Sequence, residues 1–242
     1  WKIGDCLQLL PEIPDKSIDM ILTDLPYGTT DCTWDTVIPI DALWHQYRRI
    51  ISDIGTVVLF GNNKFSFKVT YPALDIFKYK WVWIKTNSTL FTHSKNRPLV
   101  KHEDILIFSH GSMGHRSLLG TKRMTYNPQD LLPFNKMIKK GNGRFGKLIG
   151  NRPSHKDEIL REFTNYPCDV LECQEDIGIT KIHTSQKPLE LIEYLIKTYS
   201  NEGDTVHDSC LGSGTTLEAC ANLNRNCIGF ELLHDWEEHY RK

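Results

Sequence analysis

Ser17-Ile18-Asp19-Met20-Ile21-Leu22-Thr23-Asp24-Leu25-Pro26-Tyr27-Gly28 decides how the rest of this 242-residue chain is read. Ile18, Met20, Ile21 and Leu22 form a nearly continuous apolar run, the pattern of a short buried strand. Pro26 lacks an amide hydrogen and Gly28 favours a turn, so the strand stops near Asp24. Pro26 also holds Leu25 extended, which fixes the direction of the Leu25 carbonyl. A carboxylate, an aimed carbonyl and an aromatic face thus share four residues at a strand's carboxyl end. In open parallel sheets, ligands bind at that end. On its own the tetrapeptide reads equally well as a surface turn with a capping Asp.

The flanking sequence alternates strand and helix patterns. Trp1–Gly4 predicts a short strand with Asp5 at its tip, followed by a helical turn at Cys6–Leu10. Trp34-Asp35 stands close enough to fold back over the Asp24 loop. Asp41 is placed to cap a helix running to Ile51. Gly55–Gly61 predicts a compact buried strand, and Asn62–Leu74 a helix interrupted by Pro72. Tyr79–Ile84 and Asp104–Phe108 read as antiparallel strands, the first apolar on both faces, with a polar loop over Lys85–His102 between them. Periodicity lapses after Ser109, and residues 110–165 are expected to be an insert between a first half, 1–109, and a second half, 166–242. A helix over Gln186–Tyr199, a strand over Thr205–Ser209, a helix over Thr215–Leu223, a strand over Asn226–Phe230 and a short helix over Asp235–Lys242 complete the pattern. Such alternation predicts an α/β fold around a parallel-dominated sheet.

The net charge of −1 points to no partner, but its distribution does. His110–Glu162 holds eleven Lys and Arg against four Asp and Glu, a local excess of +7 in a body that otherwise sums to −8. With Tyr126, Phe134, Phe145 and Phe163 in or beside it, this block reads as a polyanion-facing segment rather than a solvated loop. Seven cysteines without a CxxC pair suggest reduced thiols, not disulfides or zinc, in a cytoplasmic protein. No apolar run reaches membrane-spanning length, and the start does not read as a signal peptide.

His207–Thr216, HDSCLGSGTT, lies between a strand and a helix. Gly212 and Gly214 let backbone approach a ligand, and the helix start offers free amides to an anion. Glu231, at the end of the next strand, stands where a ribose-binding acid belongs in a nucleoside-cofactor fold. Leu217 replaces the third glycine of a dinucleotide fingerprint, which disfavours NAD. Two other matches carry no chemistry. Gly141–Leu148 resembles a P-loop but ends in Leu148, where magnesium binding needs Ser or Thr. Cys168 after Pro167 lies outside any strand-end loop and reads as an ordinary thiol.

Asp24-Leu25-Pro26-Tyr27 resembles the Asp-Pro-Pro-Tyr motif of amino-group DNA methyltransferases, and Asp208–Thr216 resembles their S-adenosylmethionine loop. The order, catalytic motif, insert, then cofactor loop, is similar to the β group of that family. His183–Pro188, HTSQKP, resembles the segment that precedes the cofactor loop there. The resemblance implies a Rossmann-like S-adenosylmethionine-dependent methyltransferase sheet of about seven strands in circularly permuted motif order. The two chain ends are then neighbours, and Asp5 and Glu231 bracket one nucleoside. Leu25 in place of the first Pro keeps the carbonyl that the family uses but loosens the loop.

Residue by residue, the resemblance implies catalytic roles for Asp24, Leu25, Pro26 and Tyr27. It assigns the cofactor site to Asp5, Cys6, Asp24, His183, Thr184, Gln186, Lys187, Asp208, Ser209, Cys210, Gly212, Ser213, Gly214, Thr215, Thr216, Glu231 and Leu232. The insert would touch double-stranded DNA through Arg116, Lys122, Arg123, Lys139, Lys140, Arg144, Lys147 and Arg152. No metal or membrane is expected, and a homodimer stays open. The implied reaction is methylation of N6 of a flipped-out adenine, in a bacterial or phage-infected cell at the DNA. Cytosine N4 fits the same acceptors, although cytosine enzymes more often resemble Ser-Pro-Pro-Tyr. Protein-glutamine enzymes resemble Asn-Pro-Pro-Tyr, and an RNA target is a further rival. A non-catalytic DNA-binding protein is the rival of another class, and an intact cofactor loop argues against it.

Overall fold

The computed structural model describes residues 1–30, 32, 35–114, 119–139, 158–173, 186–233, 236 and 240. Its main unit comprises Trp1–Asn127 and Asp169–Lys242; Pro128–Cys168 form a second compact unit. In chain order the main unit contains β1 (Lys2–Ile3), α1 (Cys6–Leu9), β2 (Ile18–Thr23), α2 (Ile40–Ile50), β3 (Ile51–Gly61) and α3 (Asn63–Thr70). The long strands β4 (Phe77–Thr89) and β5 (Val100–Ser109) follow. The second unit holds β6 (Leu132–Lys139) and β7 (Glu158–Thr164). The main unit resumes with β8 (Val170–Glu172), α4 (Leu189–Tyr199), β9 (Thr205–Asp208), α5 (Thr215–Asn222) and β10 (Asn226–Glu231).

Eight strands form one sheet in the order β1-β10-β9-β2-β3-β5-β4-β8. From β1 to β3 every pairing is parallel; β5 then runs antiparallel to both β3 and β4. The eighth strand, β8, pairs parallel with the far edge of β4 and leaves no trace in the sequence pattern, because only three residues form it. Along β2, Ile21 faces one apolar cluster with α2 and α3, whereas Met20 and Leu22 face another with α4 and α5. Helices therefore cover both faces, and strands buried on both sides read as continuous apolar runs. The chain leaves β2 toward β3 on one side, while β9 lies on the other. That reversal of direction opens a crevice at the carboxyl ends of β2 and β9.

The structure departs from the sequence expectations in four places. Residues 110–127 lie in the main unit rather than the insert. Met124 is buried in the core, and Gly111 passes so close that an added Cβ would lie 2.8 Å from the Met124 backbone. The Lys85–His102 loop is shorter than expected, because β4 continues to Thr89 and β5 begins at Val100. Polar residues 85–89 extend beyond the core's edge, where burial imposes no apolar pattern. Within β4, Trp81 and Trp83 are buried but Val82 and Ile84 are only half-buried, so just one face is fully covered. Asp41 sits inside the first turn of α2, where its charge favours the helix dipole, and Pro39 occupies the cap.

The second unit contains an antiparallel ribbon in which Lys136 pairs with Arg161, Met137 with Leu160, Ile138 with Ile159 and Lys139 with Glu158. Met137 and Leu160 are exposed, so no core forces apolar and polar positions to alternate. This is why strand periodicity is invisible there. The expected helix at Asp235–Lys242 falls mostly outside the described residues.

Candidate active site

The site begins where β2 ends. Leu25 is buried in the core, which anchors its backbone without the expected proline. The Tyr27 hydroxyl donates to Asp24 Oδ1 at 2.9 Å, and its ring packs on Phe65 at 4.6 Å. Burial, then the charge of Asp24, pushes the Tyr27 phenol well above its ordinary value, so it stays a donor. Lys187 Nζ donates to Asp24 Oδ2 at 2.6 Å. Gly28 follows in a left-handed conformation, φ +68°, that starts the next turn. The buried Asp35 carboxylate accepts from the amides of Gly28, Thr29 and Thr30 and from the Thr30 hydroxyl, all within 2.7–2.8 Å. Burial alone would raise Asp35, but these four donors hold it below the usual carboxylate value. Asp35 thus folds back as expected; its partner Trp34 lies outside the described residues.

The neighbouring strand end is built by two buried carboxylates. Asp208 accepts from the Cys210 amide at 3.0 Å and the Thr216 hydroxyl at 2.6 Å. Burial raises Asp208 to about 6. Glu231 accepts from the Gly212 amide at 2.8 Å and the Leu233 amide at 3.0 Å. Gly212 and Gly214 have φ of +52° and +81°, left-handed values that other residues adopt at a cost. Beneath the loop, Tyr47 donates to Ser209 Oγ at 2.7 Å, and Ser209 Oγ lies 2.9 Å from His207 Nε2. Burial depresses His207 to about 4, so the ring is neutral. Its Nδ1–H then donates to the Ile228 carbonyl, 2.9 Å away, and Nε2 accepts from Ser209.

The chain's beginning completes this side. The Gly4 amide donates to the Glu231 carbonyl at 2.7 Å, and Asp5 caps α1 by accepting from the Leu7 amide. Trp1 and Tyr240 pack edge to face with ring centres 5.3 Å apart. The two ends of the described chain are neighbours, as the permuted order implies.

A cavity of about 650 Å³ joins the two strand ends. Of the residues expected at the site, Asp5, Cys6, Asp24, Leu25, Pro26, Tyr27, Gln186, Lys187, Asp208, Ser209, Cys210, Gly212, Ser213, Thr215, Thr216, Glu231 and Leu232 line it. Gly214 does not; it caps α5. His183 and Thr184 lie outside the described residues, as do Arg116, Lys140, Arg144, Lys147 and Arg152. Lys122 is exposed in a short turn, and half-buried Arg123 bridges to Ser112. Lys139 is exposed and pairs with Glu158 at 3.6 Å. None of these three lines the cavity.

Sequence reading missed the opposite wall: Phe60 from β3, Trp83, Lys85, Asn87 and Thr89 from β4, and Glu103 from β5. The odd positions 83, 85, 87 and 89 share one face of a strand. That signal was present, but a strand this polar reads as loop.

A family profile described as DNA methylase matches residues 18–241. Type II methyltransferase M.HpaI of Haemophilus parainfluenzae is 28% identical over 248 residues, covering 97% of this chain and 70% of that protein. Among solved structures, the PvuII DNA methyltransferase (cytosine-N4-specific) superposes with a TM-score of 0.66 at 17% identity, over 96% of this chain and 80% of the other. The M1.HpyAVI–SAM complex gives a TM-score of 0.59 at 20% identity, over 99% and 98%. At these identities the structural likeness is one of fold.

Proposed function

We infer the reaction from one premise: the chain belongs to the DNA methylase family. It is a DNA methyltransferase of the N6/N4 class, and we assign it transfer of a methyl group from S-adenosylmethionine to N6 of adenine. The observation behind this reading is that Asp24 lines the same cavity as Gly212, Ser213 and Glu231. When bound, S-adenosylmethionine supplies an electrophilic methyl group on a sulfonium. The cavity fits it: Glu231 and Asp5 suit a ribose and its base, and the left-handed glycine turn leaves backbone open to close approach.

The chain's own residues then serve the amine. An exocyclic amine is a weak nucleophile because its lone pair is delocalised into the ring. The Asp24 carboxylate and the Leu25 carbonyl are acceptors for its two N–H groups, which favours a more tetrahedral, nucleophilic nitrogen. The Tyr27 ring, which lines the cavity, offers a stacking platform, a contact worth ~1–3 kcal/mol. Asp35 fixes the backbone that presents both Tyr27 and Asp24. A base inside a duplex cannot reach such a pocket, so the target must be flipped out. The basic segment 110–165, which overlaps the second unit Pro128–Cys168, is assigned to phosphate and base contacts on double-stranded DNA. The site of action is then the DNA of a bacterial cell, where M.HpaI is a type II enzyme.

Asp at position 24, rather than Ser, favours adenine. Cytosine N4 is the second reading, supported by the fold shared with the cytosine-N4-specific PvuII enzyme. Incubation with S-adenosylmethionine and mixed-sequence DNA, digestion to nucleosides and mass spectrometry decide between them. N6-methyladenine is expected; N4-methylcytosine would move the assignment to the second reading, and an RNA- or protein-only product would remove both.

A further inference from the structure

Asp24 is one end of an alternation of four charges in which Glu103 is buried and Asp24, Lys85 and Lys187 are half-buried. Lys187 Nζ bonds Asp24 Oδ2 and stands 3.2 Å from Glu103 Oε2. Lys85 pairs with the other oxygen of the same carboxylate, Glu103 Oε1. Side-chain exposure is 12% for Lys187 and 8% for Glu103, so water does little to screen either charge. The Phe60 ring lies 5.0 Å from the Lys187 ammonium. Burial disfavours the charged lysine, but Asp24 and then Glu103 raise it above the ordinary lysine value. Burial likewise opposes the Glu103 carboxylate, which Lys187 and then Lys85 hold below its usual range. These groups come from β4, β5, the segment before α4 and the loop after β2. Removing such ions from water costs several kcal/mol each, and apolar packing would stabilise the fold as well or better. Stability therefore does not account for the cluster, whereas a task at Asp24 does.

We propose that Lys187 and Glu103 are positioning residues for methyl transfer: the ammonium orients the Asp24 carboxylate toward the target amine, and Glu103 holds that ammonium in place from its far side. This rests on the reading of Asp24 as the acceptor of the target amine. Tyr27 takes one lone pair of Oδ1 and Lys187 one of Oδ2, which leaves a lone pair on each oxygen for the substrate. Lys187 is thereby moved from the methyl-donor site, where the resemblance put it, to the amine site.

The groups that face Asp24 make the roles separable. Tyr27 lies on its own loop, Lys187 before α4, Glu103 on β5 behind the lysine, and Asp208 and Cys210 at the end of β9. A charged hydrogen bond fixes the Asp24 carboxylate, so Lys187→Met should lower the single-turnover rate roughly 10-fold or more. Lys187→Arg, which keeps a charged donor, should restore most of that rate. Glu103→Gln should lower the rate as well, because the ammonium loses the carboxylate that holds it from the far side. Calorimetry should show S-adenosylmethionine affinity unchanged in Lys187→Met and Glu103→Gln.

Retained S-adenosylmethionine affinity itself demonstrates folded protein. Wild-type single-turnover rates in Lys187→Met or Glu103→Gln overturn the positioning roles, and so does a slow Lys187→Met that Lys187→Arg does not restore. Loss of S-adenosylmethionine affinity in Lys187→Met overturns them too and returns Lys187 to the cofactor site. Wild-type protein that methylates no DNA amine overturns the parent reading and this one with it, whereas an active wild type whose variants keep its rate overturns this one alone.

Discussion

Two aspartates at adjacent strand ends carry opposite burdens. Asp24 bonds a cation, Lys187; Asp208 accepts from the neutral donors Cys210 and Thr216, and burial raises it to about 6. In the role proposed for Asp24, Asp24→Ala removes the acceptor for the target amine, an interaction that strengthens as the nitrogen becomes nucleophilic. A charged hydrogen bond is worth ~1.5–3 kcal/mol, so single-turnover methylation should fall at least ~10-fold. Calorimetric affinity for S-adenosylmethionine should barely move. A variant that methylates at the wild-type rate would leave Asp24 a capping residue. For Asp208 the linkage sign is reversed from that of a salt-bridged acid. Its folded value lies above the unfolded one of 3.8, so the folded state binds the extra proton. The stabilising contribution is complete below 3.8 and is lost as pH rises through about 6. Asp208→Asn lacks this titration. The difference in Tm, variant minus wild type, should grow more positive between those two pH values and then level off. A flat difference across that range would mean that Asp208 titrates normally.

At the scale of elements, the loop after β2 is held by one side chain rather than by a regular element. Asp35 satisfies three consecutive backbone amides and a hydroxyl, and among the described residues between Thr23 and Ile40 nothing helical or extended does so. Asp35→Ala should therefore speed hydrogen exchange selectively at Gly28, Thr29 and Thr30 and lower the methylation rate by loosening Tyr27. Protection of the β2 amides should persist, because β3 and β9 pair with that strand independently. Unchanged exchange at the three amides would show that the turn holds itself. The turn at Gly212 is tied down similarly, by Glu231 from the next strand. In both cases a carboxylate several residues away sets a loop that would otherwise present unpaired amides to the cavity.

Over the whole molecule, charge is unevenly spread along the chain. The +7 block, His110–Glu162, begins in the main unit with Arg116, Lys122 and Arg123 and continues through the second unit from Pro128. Neutralising Lys139, Lys140 and Arg144 together should weaken DNA binding and reduce the slope of affinity against salt by about three charges' worth. S-adenosylmethionine affinity should stay constant. An unaltered slope would mean that the block faces something other than DNA. The sequence by itself determined the α/β alternation, the Asp24 and Gly212 strand-end loops and the Glu231 acid. Each depends on local rules: apolar runs make buried strands, and proline and glycine stop them. Only the tertiary structure decided that residues 110–127 belong to the main unit, that polar β4 continues to Thr89, and that Lys187 meets Asp24 and Glu103. Lys187 and Asp24 stand 163 residues apart in sequence, and no periodicity links them. Ion pairing inside a protein is set by which segments the sheet order brings together, and that order is a property of the assembled fold, not of any stretch of chain.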